Sequence, residues 1–135
     1  MGLRIVIDTN VYVSRFLRPD SVPGAAVAKA WSTGLPLISK PAWVELRQVL
    51  MRPKFAPYIK PETIEPFLHR VWAVSEVVLS ASPIRACRNP RDDKFLEVAV
   101  HGRAGVILTG DSDLLDLHPY HGIAILTPQE FLDRA

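Results

Sequence analysis

The chain opens with a strand that ends on a carboxylate. Residues 3–7, LRIVI, are mostly β-branched and apolar, which is typical of a strand buried on both faces of a parallel sheet. Asp8 follows at once, and Thr9 and Asn10 stand beside it. Open α/β sheets bind ligands at the carboxyl ends of their strands. Asp8 is therefore a candidate functional residue.

The same pattern recurs later in the chain. Residues 105–109 form a second buried run, which ends at Thr109 and leads through Gly110 to Asp111 and Asp113. Because parallel strands bring their carboxyl ends to one edge, we expect Asp8 and Asp111 to lie close together. A carboxylate at the end of two such strands indicates a site rather than a structural coincidence.

Apolar runs alternate with helical patterns along the whole sequence. The predicted strands are 3–7, 35–39, 76–79, 105–109 and 123–126, and the predicted helices are 11–17, 25–31, 41–50, 62–73, 95–101, 114–117 and 128–134. This alternation predicts a three-layer α/β sandwich with a mainly parallel sheet. No repeat, low-complexity tract or linker interrupts it, so we expect a single domain over residues 1–135.

Composition excludes several classes of protein. The single cysteine, Cys87, rules out an intramolecular disulfide and argues against a thiolate zinc site. His118 and His121 are the closest histidine pair, and we interpret them as polar loop residues rather than metal ligands. No apolar run is long enough to span a membrane, and Asp8 interrupts the first one too early for a signal peptide. We therefore expect a cytosolic protein.

Two further acids fall at helix starts beside the same sheet edge. Glu45 lies about one turn into the helix after the second strand, although its position alone favours a solvent-exposed residue paired with Arg47 or Gln48. Asp92 and Asp93 precede the helix at 95–101, where one can cap the helix while the other faces the site. Glu97 lies one turn beyond Asp93 and is a possible outer carboxylate.

Basic residues surround the adjacent aspartates, as expected of a rim that holds phosphates. They are Arg85, Arg88, Arg91 and Lys94. With four site acids (Asp8, Glu45, Asp93 and Asp111) set aside, 16 basic residues face 10 acidic ones, a net charge of +6. An acidic pocket in a basic body suits a polyanionic substrate.

Four carboxylates at one edge, with no lysine buried among them, repel by roughly 4 kcal/mol per close pair at an effective dielectric constant of about 20. A cation is needed to neutralise them. Oxygen ligands select hard ions such as Mg²⁺ or Mn²⁺. One divalent ion would leave the four acids at a net charge of −2 and two would neutralise them, so both stoichiometries remain open.

Four stretches of sequence, in this order, resemble the PIN-domain nucleases and, most closely, the VapC toxins of toxin–antitoxin systems. They are DTNVYVS at 8–14, WVELRQVL at 43–50, RDDKFLEVA at 91–99 and TGDSDLL at 109–115. The resemblance implies a sheet order of 3-2-1-4-5. It also implies Asp8, Glu45, Asp93 and Asp111 as catalytic metal-site acids and Asp113 as a fifth ligand, with Thr9, Asn10 and Thr109 as polar support. We choose Asp93 over Asp92 because Phe95, Leu96 and Val98 follow it with the family's helical spacing.

By this resemblance the chain is a Mg²⁺- or Mn²⁺-dependent endoribonuclease and the toxin of a toxin–antitoxin pair. It implies an RNA substrate, an antitoxin partner and a homodimer. We expect phosphate contacts from Arg85, Arg88 and Arg91, although Arg91 stands where many relatives carry an acid. The alternative is an RNA- or protein-binding module with a vestigial acidic site. An aspartyl-phosphate phosphatase is disfavoured, because Asn10 stands where that chemistry needs a second aspartate.

Overall fold

The computed structural model describes residues 2–79, 84–86 and 90–134, without the side chain of Arg91. The strands are β1 (Leu3–Ile7), β2 (Gly34–Ile38), β3 (Glu76–Val77), β4 (Val106–Leu108) and β5 (Ala124–Leu126). The α-helices are α1 (Thr9–Leu17), α2 (Val22–Thr33), α3 (Lys40–Leu50), α4 (Ile64–Val74), α5 (Asp93–His101), α6 (Ser112–Leu115) and α7 (Pro128–Asp133). Short 3₁₀ turns cover Pro53–Tyr58, Pro61–Thr63 and Pro90–Asp92.

The five strands form one sheet in the order β3-β2-β1-β4-β5, and all four strand pairs are parallel. Ile5 of β1 is in register with Pro36 of β2 on one side and with Val106 of β4 on the other. Helices flank this sheet. The predicted α/β sandwich and its strand order are both confirmed, and all the strands end at one edge.

The central strand is the buried one, as its sequence predicts. Ile5 and Val6 of β1 and Ile107 and Leu108 of β4 are at most 1% exposed. Helix α5 packs against β1, β2 and β4. Because α5 leads into the amino end of β4, it runs antiparallel to the strands, and its own first turn lies at their carboxyl edge.

Four helices, α1, α2, α5 and α6, begin two or three residues earlier than the sequence predicts. Side-chain caps explain the difference at α1 and α2. Asp8 is the N-cap of α1, and its Oδ1 accepts a hydrogen bond from the amide of Asn10 at 3.3 Å. Ser21 caps α2 by accepting from the amide of Gly24 at 3.1 Å. Pro23 lies in the first turn of α2, where its missing N–H costs little.

Strand β3 has two residues instead of the predicted four, although the Val78 amide still donates to the Ile38 carbonyl at 2.8 Å. His118 Nδ1 accepts from the amide of Ile125 at 2.8 Å, which is a polar loop contact of the kind expected. Cys87 lies outside the described residues. In the described part of the chain, no helix has the length and apolar character to cross a membrane.

Candidate metal centre

Asp8 lies at the carboxyl end of β1 and is 3% exposed. Its Oδ2 accepts a hydrogen bond from the Thr109 hydroxyl at 2.6 Å, while its Oδ1 takes the amide of Asn10. Burial raises the pKa of Asp8 above its ordinary value, and the hydrogen bond from Thr109 opposes this rise. The charges of Asp111 and Glu45 raise the same pKa further, so these three carboxylates share one electrostatic environment.

Asp111 repeats the local structure of Asp8. It is the N-cap of α6, and its Oδ1 accepts from the Asp113 amide at 2.9 Å. The Asp111 amide donates to the Thr109 Oγ1 at 3.0 Å. The fully buried hydroxyl of Thr109 therefore links the two aspartates, since it donates to one and accepts from the backbone of the other.

Three aspartates form a group that we call the acid group: Asp92, Asp111 and Asp113. Each offers a carboxylate oxygen, and these oxygens all lie within 4.8 Å of one another. Burial, with hydrogen bonding and charge from Asp111, raises the pKa of Asp92 to about 7; the charge of Asp8 adds to this, and that of Lys94 opposes it. The carboxylates are thus crowded enough to favour a proton or a cation.

The acid group fits a hard divalent cation. Asp92 occupies the N-cap position of α5, but its side chain makes no capping hydrogen bond. Its Oδ2 is buried without a hydrogen-bond partner among the described residues, and so is the Oγ1 of Thr9. A buried carboxylate oxygen without a partner is costly unless something positive meets it. An all-oxygen donor set is the one that Mg²⁺ and Mn²⁺ prefer.

The adjacent Asp93 makes different contacts. Its Oδ1 accepts from the amide of Ala86 at 3.0 Å, and one turn later the Glu97 Oε1 accepts from the amide of Ile84 at 3.1 Å. The two carboxylates thus hold residues 84–86 against α5. Among the described residues, Asp92 rather than our predicted Asp93 joins the acid group.

Glu45 forms an ion pair with Lys94, through its Oε2 and the lysine Nζ. The two side chains are 29% and 19% exposed, so the pair is largely shielded. Our expectation that no lysine lies among the acids, with Lys94 on a surrounding rim, was wrong. Helices α3 and α5 pack together, which brings Lys94 inward to Glu45. No spacing in the sequence signals a contact between these two separate helices.

The remaining predicted residues are not gathered around the acids by any described side-chain contact. Asn10 is exposed, and its amide is what reaches Asp8. Arg85 is exposed as well. Arg88 and the side chain of Arg91 lie outside the described residues. Their predicted roles therefore stay predictions.

The chain is similar to one known protein in sequence and to another in fold. The chain is 28% identical over 141 residues to the uncharacterized protein MJ1680 of Methanocaldococcus jannaschii, an alignment that covers 97% of this chain and 90% of that protein. The fold of the present chain is similar to that of a chain in the crystal structure of VapBC2 from Rickettsia felis bound to a DNA fragment from their promoter. That match has a TM-score of 0.63 at 11% identity and covers 93% of this chain and 98% of the other.

The family comparison is the more specific one. The PIN domain model matches residues 4–113, a range that includes every acid of the site described above. The resemblance drawn from four short stretches is thereby confirmed at the level of the family. This chain belongs to the PIN domain family.

Proposed function

We propose that the protein is a metal-dependent endoribonuclease that hydrolyses RNA phosphodiester bonds. The observation that carries the proposal is the acid group at the carboxyl edge of the sheet, with the unpartnered Oδ2 of Asp92 inside it. Asp8, Asp111 and Asp113 are the proposed ligands, joined by Asp92 on the geometry or Asp93 on the sequence pattern. A binding role alone gives no reason to keep several costly carboxylates together.

The residues of the proposed site have different roles in the reaction. When bound, Mg²⁺ or Mn²⁺ supplies positive charge beside the phosphate and lowers the pKa of a water molecule that attacks phosphorus. Thr109 fixes the rotamer of Asp8 by its 2.6 Å hydrogen bond. Glu45 is proposed to ligate the ion or orient the attacking water once Lys94 releases it. Arg85, Arg88 and Arg91 are the proposed phosphate contacts, and the exposed Asn10 is a further polar contact. The buried Thr109 acts through Asp8 and not on the substrate.

The proposed biological role is that of a toxin in a toxin–antitoxin pair. Its support is the similarity of fold to a chain of the VapBC2 structure, together with the family membership. An antitoxin would then cover the acidic edge of this single domain and keep it inactive. The proposal also includes a homodimer and a cytosolic location, where RNA is available.

The test is cleavage of a mixed RNA pool by the purified protein with Mg²⁺, Mn²⁺ or EDTA, beside the variant Asp8→Asn. We expect cleavage that needs the metal and disappears in the variant. Asp20→Asn is the matched control, because Asp20 is an exposed acid away from the sheet edge. If neither protein cuts, and metal does not raise the melting temperature of either, the nuclease proposal fails.

A second candidate function is an RNA-binding module with a vestigial acidic site. The ion pair between Lys94 and Glu45 favours it, because an internal cation already neutralises part of the negative charge. The same cleavage experiment separates the two candidates. A module would bind RNA equally well with and without metal and leave it intact.

A further inference from the structure

A pocket between α3 and α4 lies outside the acidic site. Its volume is about 430 Å³, and it is lined by Lys40, Trp43, Glu65, His69 and Trp72. The rings of Trp43 and Trp72 meet edge to face, with centroids 5.4 Å apart and planes at 68°. Trp72 remains 37% exposed, although most large apolar side chains of this fold are buried. The two tryptophans give this open pocket an aromatic surface on which a flat, aromatic group can stack.

Contacts with neighbouring residues hold the pocket in shape and pair its acidic residue, so that the charge of Lys40 is left unopposed in the lining. The Trp43 indole N–H donates to the Leu68 carbonyl at 3.0 Å, which fixes the ring between the two helices. The Arg47 guanidinium lies over the same ring and is paired with Glu65 at 2.6 Å. Glu65, the acid in the lining, is therefore neutralised by its partner. Among the remaining lining residues, Lys40 carries a positive charge, which favours an anion beside the aromatic surface.

The pocket is joined to the acidic site through one residue. Lys40 also lines a second cavity of about 250 Å³, whose other walls include Lys94 and Glu97 of α5. Lys94 in turn pairs with Glu45. Trp43 and Glu45 are two positions apart in α3 and therefore lie on roughly opposite faces of that helix. The pocket and the acids are thus separated by about 10–12 Å, the diameter of one helix. A short length of extended chain can reach from one to the other.

We propose that this pocket is a nucleobase subsite for single-stranded RNA, an inference that rests on the proposed nuclease function. A base stacks on the exposed face of Trp72, and Lys40 holds the phosphate that leads toward the acidic edge. Stacking on aromatic side chains beside a cationic groove is how proteins hold single strands with little sequence preference. The subsite would fix the register of the RNA and leave the choice of base open.

The experiment measures binding of a labelled single-stranded RNA of about ten nucleotides, within the usual range of such sites. It is done in EDTA, so that no cleavage takes part. A second probe has the same length and phosphates but lacks the bases. We expect Trp72→Ala to bind the RNA about 5- to 100-fold more weakly, the range for one lost stacking contact. Trp72→Phe should recover most of the affinity, and the base-free probe should bind both variants alike.

Met51→Ala is the matched control, because it removes an exposed apolar side chain just past the other end of α3. If Trp72→Ala does not fold, as judged by circular dichroism, then His69→Glu takes its place. This exposed substitution puts a negative charge at the pocket and must also weaken RNA binding. Unchanged RNA affinity in the folded variants would overturn the subsite and point to a protein segment as the occupant.

The subsite and the nuclease function fail separately. The function is judged by metal-dependent cleavage and its loss in Asp8→Asn, whereas the subsite is judged by metal-free binding and its loss in Trp72→Ala. Cleavage with unchanged binding in Trp72→Ala overturns the subsite alone. Weakened binding without any cleavage by the wild type supports the subsite and overturns the nuclease function.

Discussion

Lys94 and Glu45 form an ion pair between α5 and α3, at the edge of the acid group. The positive charge of Lys94 also opposes the rise in the pKa of Asp92. One internal cation thus acts on two of the acids before any metal binds. It neutralises part of the repulsion among the acids, and in the proposed site it would compete with the metal for Glu45.

Lys94→Gln should therefore increase the affinity for Mn²⁺. The substitution removes a positive charge next to the proposed metal ligands and leaves Glu45 without its ion-pair partner. With an effective dielectric constant of about 20, two unit charges about 4 Å apart interact by about 4 kcal/mol, so the affinity should rise by at least tenfold, which needs only about 1.4 kcal/mol. Isothermal titration calorimetry measures the effect. Lys60→Gln removes the same charge from an exposed position elsewhere and should leave the affinity unchanged. Weaker binding by Lys94→Gln would instead mean that the lysine positions Glu45 for the ion.

Thr109→Val should destabilise the protein and weaken metal binding together. Thr109 is fully buried and its hydroxyl contacts both Asp8 and the amide of Asp111. Valine keeps the shape but leaves the buried groups without a partner, which costs about 1–3 kcal/mol of unfolding free energy. Urea denaturation without metal measures the loss. Thr109→Ser keeps the hydroxyl and should retain most of the stability. An equal loss in Thr109→Ser would show that the methyl group matters as much as the hydroxyl, and an unchanged stability in Thr109→Val would contradict the role of the hydrogen bonds.

The parts of the fold that depend on local patterns were predictable from the sequence. Apolar runs located the five strands. The last helix begins with a capping box of Thr127 and Glu130, a pattern that a sequence also displays. The parallel topology then required Asp8 and Asp111 to meet at one edge. The positions of Asp8 and Asp111 follow from the burial of their strands and from the shared strand direction, and short stretches of sequence indicate both.

The rest of the site depends on contacts between distant elements. Adjacent residues of a helix point about 100° apart, so Asp92 and Asp93 exchange roles if the junction between the 3₁₀ turn and α5 shifts by one residue. No pattern in the sequence fixes that junction. The pairing of Lys94 with Glu45, and of Trp43 with Trp72, depends in the same way on how two helices pack, which apolar periodicity does not specify.

Asp92→Asn and Asp93→Asn should separate the two adjacent aspartates. Asp92 shares the acid group with Asp111 and Asp113, whereas Asp93 accepts a hydrogen bond from the amide of Ala86. We expect Asp92→Asn to weaken Mn²⁺ binding by tenfold or more, because it removes a charged ligand. Asp93→Asn should keep most of the metal affinity and lose stability. Calorimetry and thermal melts of the two proteins measure both. The opposite result would assign the metal to Asp93, as the helical spacing predicts.

The stabilisation of the protein by Mn²⁺ should increase with pH. Burial and Asp111 raise the pKa of Asp92 to about 7 from an ordinary value of 3.8. A raised pKa means that the folded protein binds the proton more tightly than the unfolded chain does. The stability this gives is fully present below about pH 4 and is lost as the pH rises through about 7. The pKa of Asp8 is raised too, so it acts in the same direction. Metal-free protein should therefore melt at a lower temperature near pH 8 than near pH 5, and this fall should be smaller in Asp92→Asn.

Protons also compete with Mn²⁺ for these carboxylates, so the rise in melting temperature on adding Mn²⁺ should be larger near pH 8. Asp20→Asn changes an exposed acid and should follow the wild type. A Mn²⁺ effect that is independent of pH would show that the ion does not displace a proton from Asp92.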